Sequence, residues 1–149
     1  LSQIAERIER HVVEILDTTT ADNDALVEQL LSAFAHALVD DPRIAVVAFG
    51  ECAGISPRVE RQRRENRRWT ATFLEELWRR REFPESAGRA AVDFHALAVL
   101  TVGGLFEAVA DWLHDREADG GSHPSIDTLI GNLTGFMAVV RAGIAASLR

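Results

Sequence analysis

Apolar residues return every three or four positions along most of this 149-residue chain, with polar residues in the intervals. That period belongs to the α-helix rather than the strand. In the first stretch, Leu1, Ile4, Ile8, Val12, Ile15 and Leu16 share one side, while Arg7, Arg10 and Glu14 turn outward. It opens with neither a methionine nor a capping residue, so residues 1–16 are expected to be a connector from an upstream segment. After the polar run TTTADN, Asp22 or Asn23 can cap a second helix reaching about Val39. Its inward stripe is Leu26, Val27, Leu30, Leu31, Phe34, Ala37 and Leu38. Asp41-Pro42 and Ser56-Pro57 each set a cap before a proline, which loses nothing in the first helical turn because that N–H has no acceptor within the helix. The first pair launches a short helix through IAVVAFGECAG. Its composition would also suit a buried strand, but no second strand pattern exists to pair with it. The second launches a long helix to about Glu82, stopped by Phe83-Pro84.

The two remaining helical stretches are the most apolar. From Ala90 to Leu113, a broad face gathers Ala91, Phe94, His95, Ala98, Val102, Leu105, Phe106, Val109, Trp112 and Leu113, and a half-polar back stripe holds Asp93, Leu100, Gly104, Glu107 and Asp111. From Ser125 to Leu148, Ile126, Leu129, Ile130, Leu133, Phe136, Met137, Val140 and Ile144 form one face, backed by a ridge of small residues at Gly131, Gly135, Ala138, Ala142 and Ala146. A helix that is apolar in front and smooth behind buries both sides only between two neighbours. The predicted architecture is all-α, a six-helix antiparallel bundle forming one domain over residues 1–149. Its two C-terminal helices would meet their copies in a four-helix interface of a homodimer, through Leu100, Gly104, Glu107, Asp111, Gly131, Gly135, Ala138 and Ala142.

A chain of this length hides roughly 68–70% of its extended surface, enough for a core without staples. Cys52 is the only cysteine, so no disulfide framework and no repeated metal-ligand spacing exist, and the expected setting is cytoplasmic, without metal or cofactor. The net charge of −7 makes the chain as a whole a poor partner for polyanions. All sixteen basic side chains are arginine. The amphipathic, charged LSQIAERIERH is no signal peptide. The 90–113 stretch is long enough to span a bilayer, but Asp93, His95, Glu107 and Asp111 would each be costly in lipid, so no membrane partner is expected.

The inward stripe of the 57–82 helix runs Val59, Gln62, Asn66, Trp69, Thr70, Phe73 and Leu77, and its first half is polar. Amides facing a core need partners, which a cavity holding a small molecule and water supplies; otherwise this end simply projects past the core into solvent. The expected ligand-lining set is Phe34, Phe49, Gln62, Asn66, Trp69, Thr70, Phe73, His95 and Phe106, mostly apolar with a few polar anchors, which suits a largely apolar ligand. His95 and His11 fall on apolar faces, where a histidine either reaches a cavity or bonds a core carbonyl. Glu51 and Cys52 interrupt the greasy short helix, where the carboxylate would either cap a neighbouring group or attract a cation. His36 reads as solvated, and the arginine run Arg58, Arg61, Arg63, Arg64, Arg67, Arg68 as an exposed helix face, with contact to an adjoining domain as the alternative ahead of direct nucleic-acid contact. No catalytic set emerges. Asp111-x-x-His114 is a single pair where a di-iron bundle needs two Glu-x-x-His pairs and two more glutamates, and no nucleophile elbow, H-E-x-x-H, Walker loop or G-x-G-x-x-G is present.

The order of LSQIAERIERHVVEIL, the DDPRIAVVAFGE junction, the long SPRVERQRRENRRWTATFLEELWRR and the terminal VGGLFEAVADWL and IDTLIGNLTGFMAVV resembles the C-terminal effector-binding and dimerisation region of TetR-like transcriptional regulators, over essentially the whole chain. The resemblance implies a homodimer whose reading heads, on an N-terminal helix-turn-helix segment not in this sequence, bind operator DNA. It implies a repressor released when a small molecule changes the separation of two recognition helices, which must lie about 34–36 Å apart, or a multiple of that, to meet successive major grooves. The rival readings are a helical-bundle enzyme or a plain helical interaction module.

Overall fold

The computed structural model describes residues 22–49, 56–86, 92–118 and 123–149, together with Glu6, Arg10, Val12 and Glu14. Among the described residues there are five α-helices and no strand: α1 (Asn23–Val39), α2 (Pro42–Phe49), α3 (Pro57–Leu77), α4 (Phe94–Ala118) and α5 (Ile126–Ser147). Of the expected opening helix only the four isolated positions are described. All four are helical, with Val12 buried and Glu6, Arg10 and Glu14 exposed.

The helix starts sit where the capping chemistry puts them. The Asp22 carboxylate accepts from the Ala25 N–H at 2.9 Å, Ser56 Oγ from the Val59 N–H at 3.5 Å, and Ser125 Oγ from the Thr128 N–H at 3.2 Å. The start of α4 lies later than its apolar period suggests. Asp93, expected on the back stripe of the helix, precedes it and accepts from the Ala96 N–H at 2.9 Å. A residue that bonds a free amide outweighs three more apolar positions upstream of it.

The end of α3 also departs from the regular helix expected to Glu82. Trp78–Glu82 is a π turn, closed by the Phe83 N–H on the Trp78 carbonyl at 2.7 Å, before Pro84 ends the run. Trp78 and the Glu82 side chain are thereby both buried. Trp78 packs on Phe94, with ring centroids 6.2 Å apart.

Helix α3 packs along α4 and α1 packs along α5, with α2 against α1; α4 and α5 meet more lightly. The core joins Leu26, Leu31, Ala35 and Leu38 of α1 to Leu74, Leu77 and Trp78 of the third segment, Phe94, Val102, Leu105 and Val109 of α4, and Leu129, Leu133, Met137 and Ile144 of α5. Between α1 and α3 the packing is open, and that gap is the principal cavity.

Candidate functional site

The cavity has a volume of about 760 Å³. Leu30, Leu31, Phe34 and Leu38 of α1, Ile44 and Ala48 of α2, Trp69, Phe73, Leu74 and Leu77 of α3, and Val102, Leu105 and Phe106 of α4 wall it. Met137 closes it from α5. Were such a space sealed and dry it would cost roughly 18 kcal/mol at about 24 cal/mol per Å³, more than the roughly 5–15 kcal/mol that holds an ordinary domain folded. It is instead open at a rim where Arg10, Glu14, His36, Asp40, Gln62, Arg63, Glu65, Asn66 and Arg67 stand.

Seven of the nine residues expected to line a ligand site border this one space: Phe34, Gln62, Asn66, Trp69, Thr70, Phe73 and Phe106. The polar half of the α3 stripe faces the cavity rather than projecting past the core. Gln62 Nε2 donates to Asn66 Oδ1 at 3.2 Å, and the Thr70 hydroxyl donates to the Asn66 carbonyl at 2.8 Å. The rings stand in two pairs. Phe34 meets Phe106 edge-on at 5.1 Å, and Trp69 stacks on Phe73 at 5.9 Å with 10° between planes.

Two of the nine lie elsewhere. Phe49 is half-buried behind Phe106, 6.2 Å between centroids, and supports the wall without lining the cavity. His95 is 70% exposed, with Nδ1 3.1 Å from Glu75 Oε2. Its position on the helical wheel places it beside Val102 and Phe106, but the wheel projects away the axial coordinate. His95 sits in the first turn of α4, where the end of α3 offers the Glu75 carboxylate and the π turn offers Arg79, whose guanidinium covers the Phe94 ring at 5.2 Å. Glu51, Cys52 and His11 lie outside the described residues.

Three rim residues were missed by periodicity. His36, expected to be solvated, borders the cavity and holds Asp40 at 3.1 Å. Arg63 and Arg67, expected on an exposed face, border it as well, and the Arg67 guanidinium lies 5.3 Å from the centre of the Phe106 ring. The available signal was their spacing: Arg63 and Arg67 are each one position from Gln62 and Asn66, close enough for a long side chain to fold over the stripe.

The opposite side of the molecule is an apolar face without a cover. All eight residues expected at a dimer interface, Leu100, Gly104, Glu107, Asp111, Gly131, Gly135, Ala138 and Ala142, are exposed. Between them Leu100 is 71% exposed, Val139 72% and Phe136 43%. A Cβ placed on Gly104 would lie 3.9 Å from the Phe136 ring, whereas Gly135 has open space before it. Hence α4 and α5 contribute to one surface where large side chains stand beside shallow hollows. Both helices, Phe94–Arg116 and Ile126–Ser147, are also long and apolar enough by length and composition to cross a membrane.

Beside Ala138 and Ala142, which share a smaller cavity with it, Arg141 of α5 donates to Glu82 Oε2 at 2.6 Å and to Asp24 Oδ1 at 2.7 Å, tying the π turn and the start of α1 to α5. The Glu82 side chain is only 2% exposed, and its Oε1 has no partner among the described residues. Burial pushes the Glu82 carboxyl above the ordinary carboxylate range, offset only in part by Arg141. For Arg141 burial acts downward, but its bonds to Glu82 and Asp24 outweigh it and raise the guanidinium further. Among the described residues, no group of three or more His, Cys, Asp or Glu side chains is placed to hold a metal ion. No family model, no curated protein and no solved structure matches this chain.

Proposed function

We propose that this chain is the ligand-binding and dimerisation region of a transcriptional regulator of the TetR-like kind, a repressor whose operator-reading segment precedes Leu1. The observation that carries this reading is that one helix, α4, serves two surfaces at once. Val102, Leu105 and Phe106 wall the cavity, while Leu100, Gly104, Glu107 and Asp111 stand on the uncovered face. A small molecule that changes how α4 packs against α3 then changes how two copies meet, and it does so only by as much as it binds one arrangement more tightly.

The uncovered face supports a second copy as its occupant because it is self-complementary. Leu100, Phe136 and Val139 are exposed on the same pair of helices as the open positions Gly131 and Gly135, so a twofold axis can set each copy's large side chains against the other's glycines. In this reading residues 1–16 form the sixth helix of the bundle and α4 and α5 complete a four-helix interface. The opening helix, whose Val12 and Arg10 border the cavity, carries the change to the reading heads.

Sedimentation equilibrium with and without N-phenylnaphthylamine, a neutral apolar dye, tests both surfaces. The expected result is a species of twice the 16.4 kDa chain mass at micromolar concentration, one dye per protomer, and a dimer dissociation constant that moves when dye is bound. A monomer, flotation with phosphatidylcholine vesicles in place of self-association, or a dimer indifferent to bound dye would overturn the proposal.

A further inference from the structure

We infer that the cavity takes an amphipathic carboxylate, an acid with a single extended apolar body. The inference rests on the ligand-binding reading above and adds the chemistry of the head group. Around the polar end of the cavity stand side-chain N–H groups that the bonds within the site leave unused. Once Gln62 has given one N–H to the Asn66 side-chain carbonyl, the amide pair retains three N–H groups and one C=O, and exchanging the two amides' roles leaves the same balance. The Thr70 proton is spent on the Asn66 backbone carbonyl. Arg67 adds a guanidinium that lies over the Phe106 ring, with no carboxylate within 4 Å of it among the described residues. Three amide hydrogens and an uncommitted planar cation at the edge of an apolar hole match the two oxygens of a carboxylate, which accepts and cannot donate.

Among the described rim residues, Arg10, Arg63 and Arg67 are matched in number by Glu14, Asp40 and Glu65. Selection falls to the local donors. Arg67 is exposed, and the head group therefore keeps part of its hydration while the body lies against Leu31, Leu74, Leu105 and Met137, which avoids the cost of burying an ion. An alcohol of the same chain fills the same apolar space but carries no charge to pair with Arg67, and a quaternary ammonium head is repelled by Arg67 and offers the amide N–H groups no acceptor.

The test displaces bound N-phenylnaphthylamine from the 149-residue chain with dodecanoate, dodecanol and dodecyltrimethylammonium, each below its micelle concentration. Dodecanoate is expected to compete about tenfold more tightly than dodecanol, the gain typical of hydrogen bonds to a charged group. The Arg67→Met variant keeps an apolar stem over Phe106 and, because Arg67 is exposed, retains the native melting temperature. In it the acid should fall to the level of the alcohol while the alcohol is unchanged. Equal binding of acid and alcohol, tighter binding of the ammonium, or a preference that survives Arg67→Met would overturn the head-group assignment and leave the cavity reading standing. If the dye itself fails to bind, the cavity reading falls and the carboxylate with it.

Discussion

The two sides of α4 carry similar apolar residues and meet opposite fates. Leu105 is buried against the cavity, and Leu100, five residues earlier, is 71% exposed. Hydrophobicity alone does not separate them, since both are leucines in the same helix. What separates them is what stands opposite. Leu105 lies on the side of α4 that packs with α3 and walls the cavity, whereas among the described residues nothing covers Leu100. The inner side is concave because α1 and α3 stand apart while α2 and α5 close the ends. On the outer side Gly135 has open space before it, and Leu100 and Val139 stand largely exposed. The same chemistry is thus enclosed on one side and left bare on the other.

The contrast can be broken by substitution on either side. Leu105→Ala removes atoms already packed in the folded chain and should lower unfolding stability by about 2–4 kcal/mol, read by urea denaturation at one protein concentration. A loss within experimental error would mean that the inner wall is slack. Gly135→Leu adds a side chain that a lone copy accommodates, since nothing stands within 4 Å of that position. It should weaken self-association about a hundredfold, or roughly 2.7 kcal/mol, in analytical ultracentrifugation, with the helical circular dichroism retained. Unchanged association would move the interface off this ridge. Leu100→Ala should weaken association about tenfold and leave protomer stability within about 0.5 kcal/mol; a stability loss approaching that of Leu105→Ala would show the two sides to be equivalent after all.

The smallest effect concerns a third region, where polarity rather than greasiness is buried. Unfolded Glu82 titrates near 4.5 and the folded group above that value, so in the window between them the folded chain holds more protons. Stability is then greatest below the window and falls as pH rises through it. Glu82→Gln cannot ionise and should flatten this part of the stability-pH curve by about 1 kcal/mol or less. A curve of unchanged slope would assign the dependence to other groups.

Much of this was legible along the chain. Asp22, Ser56-Pro57 and Ser125 announce helix starts through local chemistry, because a cap bonds an amide two or three residues away and needs no knowledge of the rest of the fold. The stripe Gln62, Asn66, Trp69, Thr70, Phe73 was likewise readable, since its direction follows from the helical period. His95 and Arg67 were not. Both directions were defined by the wheel, but His95 meets Glu75 because of where along its axis α4 faces α3, and Arg67 reaches Phe106 by folding a long stem over its neighbours. The Glu82–Arg141–Asp24 cluster joins positions 59 and 117 residues apart, and no local pattern marks it.

The amino-acid sequence on its own therefore determined the all-helical class, the helix starts and the doubly apolar character of α4 and α5, because these depend on hydrogen bonds and periodicities that close within a few residues. Only the tertiary structure decided that α1 and α3 would stand apart to leave a cavity, that Leu105 would be covered and Leu100 left bare, and that a glutamate would be buried beside an arginine. Those outcomes depend on which helix passes in front of which, and that is set by the packing of the whole chain at once.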